Sequence, residues 1–266
     1  MPNVFRLTSR RPARATIVVV AAACAAALAP ASLAQPQVVL PPERLSWHGD
    51  PNAPDISGVW VRADPSGNGA SASKEGWLPW PPPLKPSFAK IWRKRVADAA
   101  AGKRTDDPIR GCLPPGMPRY ITGTTGPMLI VQTPGRVMLY RDNAPVRRVW
   151  LDGRPFPSAD DLESFSNGNA RGRYEGTDLV TEVIGIKDEP IDSTGVPHSD
   201  DLKITERLHR VDAKTLIVDV TLTDPKAYTR PMTSRVTYKA FEGGLWEPKE
   251  FICTPGTDYH PDAYVH

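Results

Sequence analysis

The sequence predicts a mainly β protein: an antiparallel, meander-like β-barrel of about eight to nine strands, enough to close a small barrel, with one N-terminal helix. Three observations predict it. From Cys112 onward, strand-like segments follow one another with no helical pattern between them. Thr133-Pro134-Gly135 and Asp212-Ala213-Lys214 each separate two alternating segments, which is how hairpins read. The 30 prolines, roughly twice the usual frequency, favour loops and extended chain over helices. A two-sheet sandwich is the alternative arrangement of the same strands.

Residues 1–34 read as a secretory signal. Arg6, Arg10, Arg11 and Arg14 form a basic start, Ala15–Leu28 an apolar stretch too short to span a membrane comfortably, and Ser32-Leu33-Ala34 a small-x-small cleavage site. The expected route is the general secretory one. Ser9-Arg10-Arg11 is a partial twin-arginine pattern, but Pro12-Ala13-Arg14 continues it poorly. Removing four of the 33 Lys+Arg leaves 29 against 30 Asp+Glu, a formal charge of −1. That balance argues against nucleic acid or an anionic membrane as partner. The expected home is the periplasm or the exterior, with no stable membrane insertion after cleavage.

Residues 35–55 form an extended, proline-rich arm, and 56–266 a single domain, since about 230 mature residues suit one all-β unit. Asp55–Val61 is the first strand. Residues 63–86 are rich in Gly and Ser, then Pro, and read as loop and polyproline chain. Ser87 can cap a helix over 87–102, whose Phe88, Ile91, Trp92, Val96 and Ala99 share one apolar face and which Gly102 stops. That helix is expected to pack over the strands or close one end. Strands follow at Met128–Gln132, Arg136–Arg141, Val146–Leu151, Asp178–Ile186, Leu202–Val211, Thr215–Thr223, Arg235–Lys239 and Leu245–Ile252.

Gly58-x-Trp60 near the start of the first strand resembles the lipocalin-like superfamily, in which such a Trp closes the barrel floor. A broader resemblance runs through Cys112-Leu-Pro-Pro-Gly-Met-Pro118, QTPGRV (132–137), LDGR (151–154), GRYEGTDLV (172–180), PHSDDLKITER (197–207) and DPKAYTRP (224–231). On these motifs the chain is similar to a family of exported bacterial proteins found in proteobacteria and acidobacteria. The resemblance implies export and carries no reaction with it. Where that family reads GRWEGDTLVV, this chain has Tyr174 for the Trp and Thr177-Asp178 in transposed order, and Asn169 stands in a stretch that often carries a His.

Two cysteines survive maturation, Cys112 and Cys253, and in an exported protein they have one intramolecular pairing. The alternative is two buried thiols.

The chemistry concentrates in 147–212. On the strand Leu202–Val211, Leu202, Ile204, Glu206 and Leu208 share one face, and Lys203, Thr205, Arg207 and His209 the other. Glu206 is therefore a carboxylate in an apolar row, suited to acid–base work if that row lines a pocket, or to an ion pair with an Arg of another strand if it does not. His198 precedes this strand with Asp200 two residues on, a possible proton shuttle with its orienting carboxylate. The same two residues, with Asp152 or Glu206, are a weak divalent-metal set; a loop His beside an Asp-turn is the plainer reading. Asp152 is the fourth candidate acid–base group. Arg154, Arg207, Tyr174, Trp150 and Glu175 are candidate ligand contacts, with Arg154 suited to clamp a carboxylate. Arg148, Trp150 and Asp152 share a face, which suits a pocket wall or an outer surface. Glu175 pairing with Arg171 or Arg173 is its structural alternative.

The sequence has no GxGxxG, P-loop, CxxC, HExxH or GxSxG pattern, which disfavours nucleotide cofactors, phosphoryl transfer and standard serine hydrolysis. No cofactor is expected. Three functions stay open: a cofactor-independent acid–base enzyme (lyase, isomerase, hydratase or hydrolase) acting on a small apolar or aromatic molecule, a carrier of such a molecule, and an envelope structural or assembly factor.

Overall fold

A computed structural model describes residues 53–63, 78–103, 106–123, 126–142, 144–243 and 246–249. The expected signal segment, its cleavage site, most of the arm, and Cys253 lie outside these.

Nine strands close into a barrel in sequential order: β1 (Gly58–Arg62), β2 (Met128–Thr133), β3 (Arg136–Arg141), β4 (Ala144–Trp150), β5 (Asn169–Glu175), β6 (Asp178–Ile184), β7 (Lys203–Asp212), β8 (Thr215–Thr223) and β9 (Met232–Ala240). β1 closes the ring by pairing with both β2 and β9, through Trp60↔Met128 and Trp60↔Ala240.

The expected all-antiparallel meander needs one correction. A ring of nine strands cannot alternate direction all the way round, so one neighbouring pair must run parallel. That pair is β4–β5, joined only at Val149↔Ala170 and Trp150↔Arg171. The connection 151–168 makes it possible by carrying the chain back along the barrel wall before β5 begins. β5 itself was not expected as a strand: NARGRYE has two arginines, a glycine and no apolar alternation, and it is held by its seven-residue register with β6 rather than by its own composition. The expected strand 245–252 is corrected too. Its described part, Trp246–Lys249, is not in a strand.

Strand directions sort the connections. Three tight hairpins, at 134–135, 176–177 and 213–214, lie at one end. The other end carries the described residues 78–103 and 106–123 between β1 and β2, with 185–202 and 224–231. There α1 (Pro86–Ala100) begins one residue earlier than the expected 87–102, with Lys85 as N-cap, Pro86 in the first turn and no side-chain cap from Ser87. Proline suits that position because its missing N–H would be unpaired there anyway. α1 lays Phe88 and Trp92 against the core. Trp92 Nε1 donates to Thr194 Oγ1 at 3.3 Å and Arg95 to Gly195 O at 3.1 Å, so the helix sits on the 185–202 loop. Ile91 and Val96 of the expected apolar face stay exposed.

The interior follows the strand alternation. On β7, Ile204, Glu206 and Leu208 are buried, and on β8 Leu216, Val218, Val220 and Leu222. Trp60 is 1 % exposed, and its Nε1 donates to Ile56 O at 3.1 Å. The short helix α2 (Arg119–Thr122) is buried throughout and sends Tyr120 among the strands, where its hydroxyl donates to Leu139 O at 2.7 Å. Each fully buried apolar side chain contributes about 1.5–3 kcal/mol, so this filled interior is the main source of stability.

Candidate functional site

The four expected acid–base residues are not brought together: no hydrogen bond or ion pair joins any two of His198, Asp200, Glu206 and Asp152 among the described residues. Glu206 lies inside the barrel, fully buried. It accepts from Arg147 Nη1 at 3.0 Å, from Arg147 Nη2 at a shorter distance, and from Thr181 Oγ1. Its apolar row faces the filled core. Asp200 is exposed and does not orient His198. Instead both ring nitrogens of His198 meet backbone carbonyls, Nδ1 to Ser199 O at 2.8 Å and Nε2 to Lys187 O at 3.1 Å. Both ring nitrogens thus face backbone oxygens rather than a carboxylate.

The 197–199 loop is held by a residue the sequence gave no such role. Asp224 accepts from Ser199 N and Oγ, from Lys226 N and from Ala227 N, and is 2 % exposed. Asp192 does the same earlier in the 185–202 connection, taking Thr194 N, Gly195 N and Val196 N on Oδ1. Burial pushes its carboxyl above the ordinary value, although those N–H groups and Thr194 pull the other way. Both are Asp followed closely by donors, the sequence sign of a self-closing turn.

The remaining candidates lie on the outer wall, except Tyr174, which packs against the core. Glu175, Asp178 and Arg207 form a ladder with Arg207 Nη2 at 2.5 Å from Glu175 and Nη1 at 2.6 Å from Asp178, and His209 Nδ1 adds a contact to Asp178 at 2.5 Å. Hydrogen bonds from Arg207 and then Arg173 hold the Glu175 carboxyl below its ordinary range. Tyr174 sits at the hairpin end, its hydroxyl accepting from Gln132 Nε2 at 2.8 Å. Buried Gln132 also ties down the entering chain, donating to Pro54 O and accepting from Ile56 N.

One region does form a concave site. At the β4–β5 seam only two residue pairs are strand-bonded, and the 151–168 connection lies beside the rest. Between them runs a groove of about 770 Å³, within the usual range for small-molecule sites. Three of its walls are aromatic: Trp150 on β4, and Phe156 and Phe165 on the connection. Guanidinium planes lie on two of these rings, Arg154 over Trp150 at 3.7 Å and Arg171 over Phe156 at 3.9 Å. Phe165 is uncovered, at 48 % exposed. Asn167 bridges the seam, its Nδ2 donating to Pro145 O at 3.0 Å, and its buried Oδ1 has no hydrogen-bond partner. Gly168 is required where the connection enters β5: at φ +61° a Cβ would meet Val183 Cγ1 at 2.6 Å and Ile184 O at 2.9 Å.

Of the sequence candidates, Trp150 and Arg154 line this groove; Asp152, just outside it, accepts from Arg154 through two parallel contacts, Nε to Oδ1 and Nη2 to Oδ2. The Arg148–Trp150 face is thus both outer surface and pocket wall. Phe156, Phe165 and Asn167 were not singled out, because an irregular crossover gives no periodic signal.

Among the described residues, no group of three or more His, Cys, Asp or Glu side chains could hold a metal, and no helix is long and apolar enough to cross a membrane. In comparisons with protein-family models, with curated proteins and with solved structures, nothing matches this chain.

Proposed function

We propose that this is an exported small-molecule-binding protein whose ligand, a small molecule with an aromatic or otherwise planar apolar body, occupies the groove at the β4–β5 seam. The observation that carries the reading is the set of three aromatic side chains, two of them backed by guanidinium planes, around one concave site. Stacking on rings and guanidinium planes suits a flat apolar body. Acid–base catalysis draws less support from the geometry, since Glu206 and His198 are both engaged by the fold itself.

The test is titration of the mature protein with naphthalene-2-carboxamide, followed by calorimetry, against Phe156→Ala, Phe165→Ala and the double variant. Binding that weakens about fivefold or more with each ring removed, as expected for lost aromatic contacts of about 1 kcal/mol or more, supports the groove. Binding indifferent to both rings, or no binding, overturns it.

A further inference from the structure

Resting on that reading of the groove, we infer that its ligand is an anion, and that Arg148 is the residue that reads the charge. Among the described residues, the groove's only charged lining residues are four arginines: Arg147, Arg148, Arg154 and Arg171. Three are already matched by a carboxylate that is not itself part of the lining. Arg147 is turned inward to Glu206, Arg154 is clamped by Asp152, and Arg171 meets Glu182 at 3.1 Å. Arg148 is exposed on the outward face of β4 and makes no side-chain hydrogen bond or ion pair among the described residues. It is held in place by its backbone register with Met138, next to Trp150 two residues along the same face.

This arrangement fits one ligand chemistry. A cationic ligand would meet the unpaired Arg148 and no free carboxylate in the lining. A neutral one would leave Arg148 beside an apolar body with less of its water. A carboxylate, sulfonate or phenolate on the edge of a planar ring system can instead take the guanidinium in a charge-assisted pair, while the ring lies against Trp150, Phe156 or Phe165. The sequence pointed to Arg154 as the carboxylate clamp. Its own neighbour Asp152 occupies it, and the role passes to Arg148.

The experiment compares naphthalene-2-carboxylate with its neutral isostere naphthalene-2-carboxamide, on the wild type, Arg148→Gln and the Phe156→Ala/Phe165→Ala double variant. Thermal melts check that each variant is folded. The expected result is about tenfold or more tighter binding of the carboxylate, the size of one charged hydrogen-bonded contact. Arg148→Gln removes that preference, read as the ratio of the two affinities. Equal binding of the two probes overturns the anion inference and leaves the groove standing. A carboxylate preference that survives Arg148→Gln overturns the assignment to Arg148. Failure of both probes to bind, or binding of both that ignores the aromatic double variant, overturns the groove and this inference with it.

Discussion

Arg147 on β4 and Glu206 on β7 are joined across the barrel interior by two side-chain hydrogen bonds, although their strands are not neighbours. Both side chains are almost wholly buried, at 1 % and 0 % exposed. Thr181, directly opposite Glu206 on β6, donates to the same carboxylate. Taking two charges out of water is costly, and their attraction offsets that only while both are present. Glu206→Ala and Arg147→Ala are each expected to cost about 3–5 kcal/mol in urea unfolding. Arg147→Met combined with Glu206→Leu should recover most of it. A double variant no more stable than the singles would mean that the pair positions something beyond itself.

The surface ladder should behave in the opposite way. Arg207 and Asp178 are in contact at 2.6 Å, but Arg207 is 43 % exposed. Exposed pairs of this kind are worth about 0–1 kcal/mol and are screened by salt. Arg207→Ala should therefore lower the unfolding free energy by no more than about 1 kcal/mol, and by less at high salt. A larger loss that persists in high salt would show the ladder to be structurally essential.

Asp192 sets a pH dependence whose sign can be worked out. Burial raises its carboxyl above the unfolded value of about 3.9. The folded state then holds the proton more tightly than the unfolded one, so this group contributes more stability at low pH and loses it as pH rises through the folded value. Asp192→Asn should flatten the stability profile in the window above about pH 4, because the side-chain oxygen can still accept the three N–H groups. Asp192→Ala should cost at least about 2 kcal/mol, since those donors are left buried without a partner. An unchanged profile in the Asn variant would remove Asp192 as its source.

Gly168→Ala tests the seam. The added methyl meets Val183 and a backbone oxygen at a left-handed position, so a loss above about 1 kcal/mol is expected. Binding in the groove should weaken with it, because Asn167 and Phe165 are carried on the same turn. Wild-type stability with intact binding would show that the connection shifts to accommodate the methyl.

The expected Cys112–Cys253 bridge can be read by intact mass. The oxidised mature protein should weigh two hydrogens less than its reduced form. Reduction should lower stability by up to about 4–5 kcal/mol, for a loop of more than about 100 residues. A mass that does not change on reduction would favour two thiols.

The sequence by itself determined the alternation. Leu202 to His209 sorts into two faces because strand side chains point to opposite sides in turn, and that rule needs no partner strand. It thereby placed Glu206 in an apolar row, located most of the strands, and marked the hairpins at Pro134-Gly135 and Ala213-Lys214. Only the tertiary structure decided what those faces meet. Glu206 finds Arg147 59 positions away, a relation no local pattern encodes. β5 becomes a strand because β6 offers it a full register. The groove exists because a nine-strand ring must contain a parallel pair, and the crossover supplying it leaves Trp150, Arg148 and Phe165 around an open seam. Ring closure and crossover packing are properties of the whole chain, and they turned the outer wall at β4–β5, rather than the interior, into the candidate site.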